Sequence, residues 1–174
     1  YNEAESLPEL IERIDAAITG MGKTWEAWII DDGSSDNTFE VVEELAAARP
    51  QVHGLSFGRN FGKAAALAAG FKAVSADLVI TMDADLQDDP AEIPAFAVLI
   101  DQGYDLVSGW KQDRKDSFIK NKTSKIFNWF TSRMCGLSLH DFNCGLKAYR
   151  RPVTEKVKLY GDMHRYVPAL AHLD

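Results

Sequence analysis

Cysteine is scarce in this chain. Cys135 and Cys144 are the only two in 174 residues, and neither sits in metal-ligand spacing. That excludes a disulfide framework or a structural zinc as the source of stability, and reduced thiols in a cytosolic chain are the natural reading. Long apolar runs are missing too. No window approaches 18 consecutive apolar residues, so this stretch holds no membrane-spanning helix, and no secretory signal is visible. There is no internal repeat and no low-complexity linker. What is present is ordinary for a globular domain: 46% hydrophobic residues, 26% charged, and enough length for one substantial core.

Charge is the first unusual feature. The net charge is −7, but it is unevenly spread. Residues 1–110 carry 6 basic and 20 acidic side chains, whereas residues 111–133 carry 7 basic and 2 acidic. A cationic segment on an acidic chain predicts an anionic partner at that place. Lys120, Lys122 and Lys125 interleave there with Phe118, Ile119, Ile126, Phe127, Trp129 and Phe130, as in an amphipathic helix. No nucleic-acid motif accompanies the basic residues, so a nucleic-acid partner is set aside.

Periodicity predicts alternating helices and strands. Ser6 with Glu9 reads as a capping box opening a helix, whose apolar face is Leu7, Leu10, Ile11, Ile14 and Ile18. Strands are expected over 25–30, 52–57, 78–82 and 106–110. Helices are expected from Phe39 to before Pro50, over 63–74, over 91–102 and across 118–130. Such alternation makes an α/β fold with a largely parallel sheet, whose ligands bind at the carboxyl ends of strands.

Two acidic clusters fall at those ends: Asp31-Asp32-Gly33-Ser34-Ser35-Asp36 and Asp83-Ala84-Asp85-Leu86-Gln87-Asp88-Asp89-Pro90. In an extended chain Asp83, Asp85 and Gln87 would point to one side. Hard oxygen donors grouped so suit Mg²⁺ or Mn²⁺. A solvated acidic turn before Pro90 is the plainer alternative for an isolated Asp-x-Asp pair. Asp88 and Asp89 read as helix-start residues ahead of Pro90. Cys144 reads as buried structure, with no local base to activate it.

These motifs occur in a telling order: Tyr1-Asn2-Glu3, Ile30-Asp31-Asp32-Gly33, Asn60-Phe61-Gly62-Lys63, Asp83-Ala84-Asp85-Leu86-Gln87, Asp141-Phe142-Asn143-Cys144-Gly145-Leu146-Lys147 and His164-Arg165-Tyr166. With them the chain resembles the family 2 glycosyltransferases over essentially its whole length, and within them the branch that makes polyprenyl-phosphate sugars, similar to dolichol-phosphate mannosyltransferase. The resemblance implies the GT-A fold, a Rossmann-like three-layer α/β arrangement with a mostly parallel central sheet. It implies a single catalytic domain over 1–174, expected to be a fragment, since the family usually has an apolar strand before Tyr-Asn-Glu and bacterial relatives often carry C-terminal membrane helices.

The same resemblance assigns roles. Asp85 and Gln87 would hold Mg²⁺ or Mn²⁺. Tyr1, Glu3, Asp32, Lys63, Asp83 and Arg165 would bind the nucleotide-sugar, a UDP- or GDP-hexose. Asp31 is an alternative to Asp32. Lys111, Arg114, Lys120 and Ser124 would bind a polyprenyl phosphate at a membrane surface, on its cytoplasmic face. Asp85, Asp141 and Arg165 would serve catalysis. Asp141 would be a general base for a hydroxyl acceptor, whereas an already ionised phosphate acceptor would need none, and Asp141 would then orient the sugar or the acceptor. Inverting transfer to a polyprenyl phosphate is thus the leading expectation, and transfer to a sugar hydroxyl in polysaccharide or cell-wall glycan synthesis the alternative. A phosphoacceptor receiver domain fits the Asp-x-Asp-x-Gln spacing poorly, and a non-catalytic nucleotide-sugar binding module is the remaining competitor. Homo-oligomer formation is possible on this sequence.

Overall fold

The computed structural model describes residues 1–110 and 144–157. In chain order these form α1 (Leu7–Thr19), β1 (Ala27–Asp31), α2 (Thr38–Ala48), β2 (Val52–Ser56), α3 (Lys63–Ala73) and β3 (Leu78–Thr81). A 3-10 turn (Pro90–Glu92), α4 (Ile93–Asp101), β4 (Leu106–Ser108), β5 (Lys147–Arg150) and α5 (Arg151–Lys156) follow. The expected α/β alternation is present. The helix expected across 118–130 lies outside the described residues.

Helix α1 buries Leu7, Leu10 and Ile11, the spacing its sequence predicts. Its capping box does not form. Ser6 has helical dihedrals (φ −85°, ψ −27°), whereas a capping side chain works from the extended region. Its hydroxyl turns back instead, donating to the Glu3 carbonyl at 3.0 Å and to Glu3 Oε2 at 2.9 Å. At α2 the cap comes from Asp36 rather than from Asn37. The Asp36 carboxylate accepts the Thr38 N–H at 3.1 Å and the Thr38 hydroxyl at 2.5 Å. The hydroxyl bond chiefly holds its pKa below the ordinary aspartate value.

Strands β1 and β2 pair in parallel, from Ala27 with Val52 to Asp31 with Ser56. The other sheet has the order β3-β5-β4, and β5 is antiparallel to both neighbours. Strands β3 and β4 therefore run the same way, with one reversed strand between them. Helix α4 covers this sheet, packing Phe96 and Ile100 on Cys144, Leu146 and Ala148. On the other face Tyr149 is buried, its ring edge-on to Phe71 of α3 at 5.4 Å between centroids. Cys144 is buried, as expected.

Between β1 and β3, which are not hydrogen-bonded to each other, runs a cavity of about 1660 Å³. Its walls are apolar along most of its length: Ile11 and Ile14 of α1, Ile29 of β1, Leu67 and Phe71 of α3, and Ile80 of β3. Its polar end lies where β1 and β3 stop.

Candidate active site

The loop after β1 is built on two buried carboxylates. Asp31 accepts the Ser34 N–H and hydroxyl and, from β2, the Ser56 hydroxyl at 3.0 Å. Asp32 reaches 30 residues ahead. Its Oδ1 accepts the Phe61 N–H at 2.7 Å and its Oδ2 the Gly62 N–H at 2.9 Å. The structure thus gives Asp32 a loop-shaping duty that spacing did not reveal. Gly33 has φ +68°, and a Cβ there would lie 2.3 Å from the Arg59 carbonyl carbon. Tight turn geometry and close backbone approach both require glycine at this point.

The N-terminal tripeptide lies along the same loop. The Asn2 N–H donates to Ser34 Oγ at 2.8 Å, the Ser35 N–H to Asn2 Oδ1 at 3.0 Å, and the Glu3 N–H to Thr38 Oγ1 at 2.9 Å. Asn2 adopts φ +57°, a region asparagine tolerates better than most residues. Tyr1 and Glu3 line the same cleft as Asp32.

The acidic loop after β3 departs from the extended geometry assumed for it. Leu86 has φ +58°, so the chain reverses there and side chains stop alternating after Asp85. Asp85 stabilises the reversal by accepting the Gln87 N–H at 3.1 Å. Asp83 and Asp85 line the large cavity, whereas Gln87 lines a separate hollow of about 350 Å³ with Asp88, Asp89 and Trp110. The extended alternation assumed for Asp83, Asp85 and Gln87 is therefore not what this loop adopts. Asp89 is a helix-start residue as expected, accepting the Ala91 N–H at 3.0 Å. Asp88 is not. It is 3% exposed, folds back to accept the Asp83 N–H at 3.3 Å, and belongs to the loop's interior.

Lys63, at the first turn of α3, places its Nζ 2.5 Å from Asp83 Oδ1. From the other side the Cys144–Gly145 segment closes on the loop. Thr81 Oγ1 donates to the Gly145 carbonyl at 3.1 Å. Lys147, 5% exposed, donates from Nζ to the Cys144 carbonyl. Sequence reading missed Lys147 and Asp88. A lysine inside the apolar strand Leu146-Lys147-Ala148-Tyr149 was the available signal, because an unpaired lysine is almost never fully buried.

Tyr1, Glu3, Asp32, Lys63, Asp83 and Asp85 all line one cleft. Asp141, Arg165, Lys111, Arg114, Lys120 and Ser124 lie outside the described residues. Among the described residues no three His, Cys, Asp or Glu side chains group as a self-sufficient metal cage. The donor set still fits a hard divalent cation, since Mg²⁺ commonly binds through one or two carboxylates plus substrate phosphates. Asp85 is exposed to the cleft and Asp83 lies beside it.

Similarity to known proteins agrees with this arrangement. The chain is 43% identical over 174 residues to undecaprenyl-phosphate 4-deoxy-4-formamido-L-arabinose transferase of Salmonella paratyphi A, covering 99% of this chain and 53% of that protein. The chain thus spans about half the length of the curated relatives it matches. Among solved structures, glucosyl-3-phosphoglycerate synthase of Mycobacterium tuberculosis superposes with a TM-score of 0.70 at 20% identity, over 90% of this chain and 56% of that one. A mannosyltransferase of Pyrobaculum calidifontis, solved with GDP-Man and Mn²⁺, superposes at 0.61 and 21% identity, over 92% and 45%. These two share the fold expected from the sequence. Residues 1–158 match the family described as Glycosyl transferase family 2, and the chain belongs to that family.

Proposed function

We propose that this chain forms the donor-binding part of a metal-dependent inverting glycosyltransferase that moves a sugar from a nucleotide-sugar to a membrane polyprenyl phosphate. One observation carries the reading: Asp32 and Asp83 with Asp85, from the loops after β1 and β3, and Lys63, from the first turn of α3, line one cleft. The relatives named for undecaprenyl-phosphate transfer supply the acceptor class.

In this reading Asp85 holds the divalent cation, with Asp83 beside it and oriented by Lys63. Bound there, a divalent cation would supply the positive charge that offsets negative charge on a departing nucleoside diphosphate. The Asp32-bound loop and the N-terminal tripeptide shape the nucleoside end. Arg165 contributes a fixed two-pronged phosphate contact. Lys111, Arg114, Lys120 and Ser124 receive the lipid phosphate at the cytoplasmic face of the membrane. No helix among the described residues is long and apolar enough to cross a membrane. Attack by an ionised phosphate oxygen needs no base, so Asp141 orients rather than deprotonates. The unfilled space between β1 and β3 supports the expectation that a further strand of the same domain precedes Tyr1.

Calorimetric titration of UDP and of GDP, each with and without Mn²⁺, tests the reading. We expect one of the two to bind in a metal-dependent way, and Asp85→Ala to abolish that binding. Equal binding in the variant overturns the metal assignment. Transfer from the matching sugar nucleotide to undecaprenyl phosphate then tests the acceptor.

A further inference from the structure

The Asp83 carboxylate does not take its position from its own loop alone. A Cβ built on Gly145 would lie 2.5 Å from Asp83 Oδ2 and 2.8 Å from Asp88 Oδ2. Two carboxylates thus rest on the bare Cα of one glycine, 62 and 57 residues away in sequence. That glycine is itself held from three directions. Its carbonyl accepts from Thr81 Oγ1, the preceding carbonyl of Cys144 accepts from the buried Lys147 ammonium, and β5 pairs with β3 immediately afterwards, with Thr81 opposite Lys147.

We propose that the Cys144–Gly145 segment, locked by Lys147, is a template that sets the Asp83–Asp88 turn, and that Gly145 and Lys147 are positioning residues for metal and donor. Shape and charge both support this. Only a residue without a side chain leaves room for both carboxylates at this distance. The buried Lys147 ammonium donates to the Cys144 carbonyl, and such a charge-assisted hydrogen bond is stronger than a neutral one. Lys63 then meets Asp83 Oδ1 from the opposite side. Asp83 is therefore fixed between a cation on one oxygen and a glycine surface on the other.

The metal arm of this inference rests on the proposed function; the template itself does not. Two variants separate them. Gly145→Ala adds one methyl whose first contacts are rotatable carboxylates, so it displaces Asp83 and Asp88 and spares the fold. Lys147→Met keeps length and removes the charge. Hydrogen exchange of the amides of residues 82–88 is measured in both variants and the parent, with β2 as the internal control. Mn²⁺-dependent binding of UDP and GDP is measured alongside.

We expect exchange in 82–88 to accelerate roughly tenfold in both variants, with β2 unchanged, and the nucleotide dissociation constant to rise by a similar factor. Unchanged exchange in 82–88 in Gly145→Ala overturns the template. If β2 accelerates equally in both variants, their effect is global unfolding and the positioning role is overturned. Local acceleration in a protein whose parent form binds neither nucleotide upholds the template and overturns the donor-site reading instead.

Discussion

Lys63 Nζ lies 2.5 Å from Asp83 Oδ1, joining the first turn of α3 to the loop after β3. Both side chains are partly exposed, at 41% and 37%. Solvent therefore screens the pair, and its contribution to stability is small, about 0–1 kcal/mol. Its value lies in orientation.

The first expectation follows from that contrast. Lys63→Met should leave the thermal midpoint nearly unchanged while weakening metal-dependent nucleotide binding roughly tenfold, as loss of one charge-assisted contact implies. Paired melting and calorimetry check it. A large fall in the midpoint with intact binding would make Lys63 a structural residue.

Gly33 gives the opposite expectation. Gly33→Ala must hold a Cβ at φ +68° and within 2.3 Å of the Arg59 backbone. The neighbouring atoms are main chain and cannot rotate away. We expect a loss of about 3 kcal/mol or more, from strain and overpacking together, read from urea midpoints.

Asp32→Asn keeps the shape of the side chain but replaces one acceptor oxygen by an NH₂ donor. That donor would face the Phe61 or the Gly62 N–H. We expect a destabilisation of about 1–3 kcal/mol and faster exchange in residues 58–62, measured by urea unfolding and hydrogen exchange.

Tyr149 sets an alkaline limit. Burial raises its pKa well above the ordinary value of 10.0. Above about pH 10 the unfolded phenol ionises while the folded one keeps its proton. The unfolded state then binds fewer protons, and stability falls as pH rises. Tyr149→Phe should flatten that limb above about pH 10, read from urea midpoints. An unchanged slope would remove Tyr149 as its source.

The last expectation concerns the space between β1 and β3. Adding an apolar strand-forming segment ahead of Tyr1 should fill it. Burying even one β-branched side chain there stabilises by about 1.5–3 kcal/mol. We expect a higher urea midpoint and new amide protection in β1 and β3. A longer chain with identical protection would leave the space without that occupant.

Much of this was legible in the sequence. The apolar spacing of Leu7, Leu10 and Ile11, and the runs at 78–81 and 106–108, located helix and strands because burial imposes those periods. The carboxylates at strand ends located the cleft because the carboxyl ends of strands in such folds open onto a crevice. Three features escaped for physical reasons. Ser6 looks like a cap by composition, but it already has helical dihedrals and its hydroxyl turns back to Glu3 within the preceding turn. Gln87 is placed by assuming an extended chain, and the positive φ at Leu86 breaks that assumption. Asp88 looks like a helix-start residue, yet it is buried against Gly145, a contact no local pattern encodes.

The position of β5 has a consequence for how the molecule comes into being. Strands β3 and β4 are made early, but neither pairs with the other; each waits for Lys147–Arg150. A chain emerging from the ribosome can assemble β1, β2 and α2 from neighbours already present. The sheet beneath the acidic loop cannot close until some forty residues beyond β4 have followed, and such long-range closure is slow. Until then Asp83 and Asp85 lack the surface that shapes them, so the acidic loop takes its final form late in synthesis, only once Lys147–Arg150 has followed.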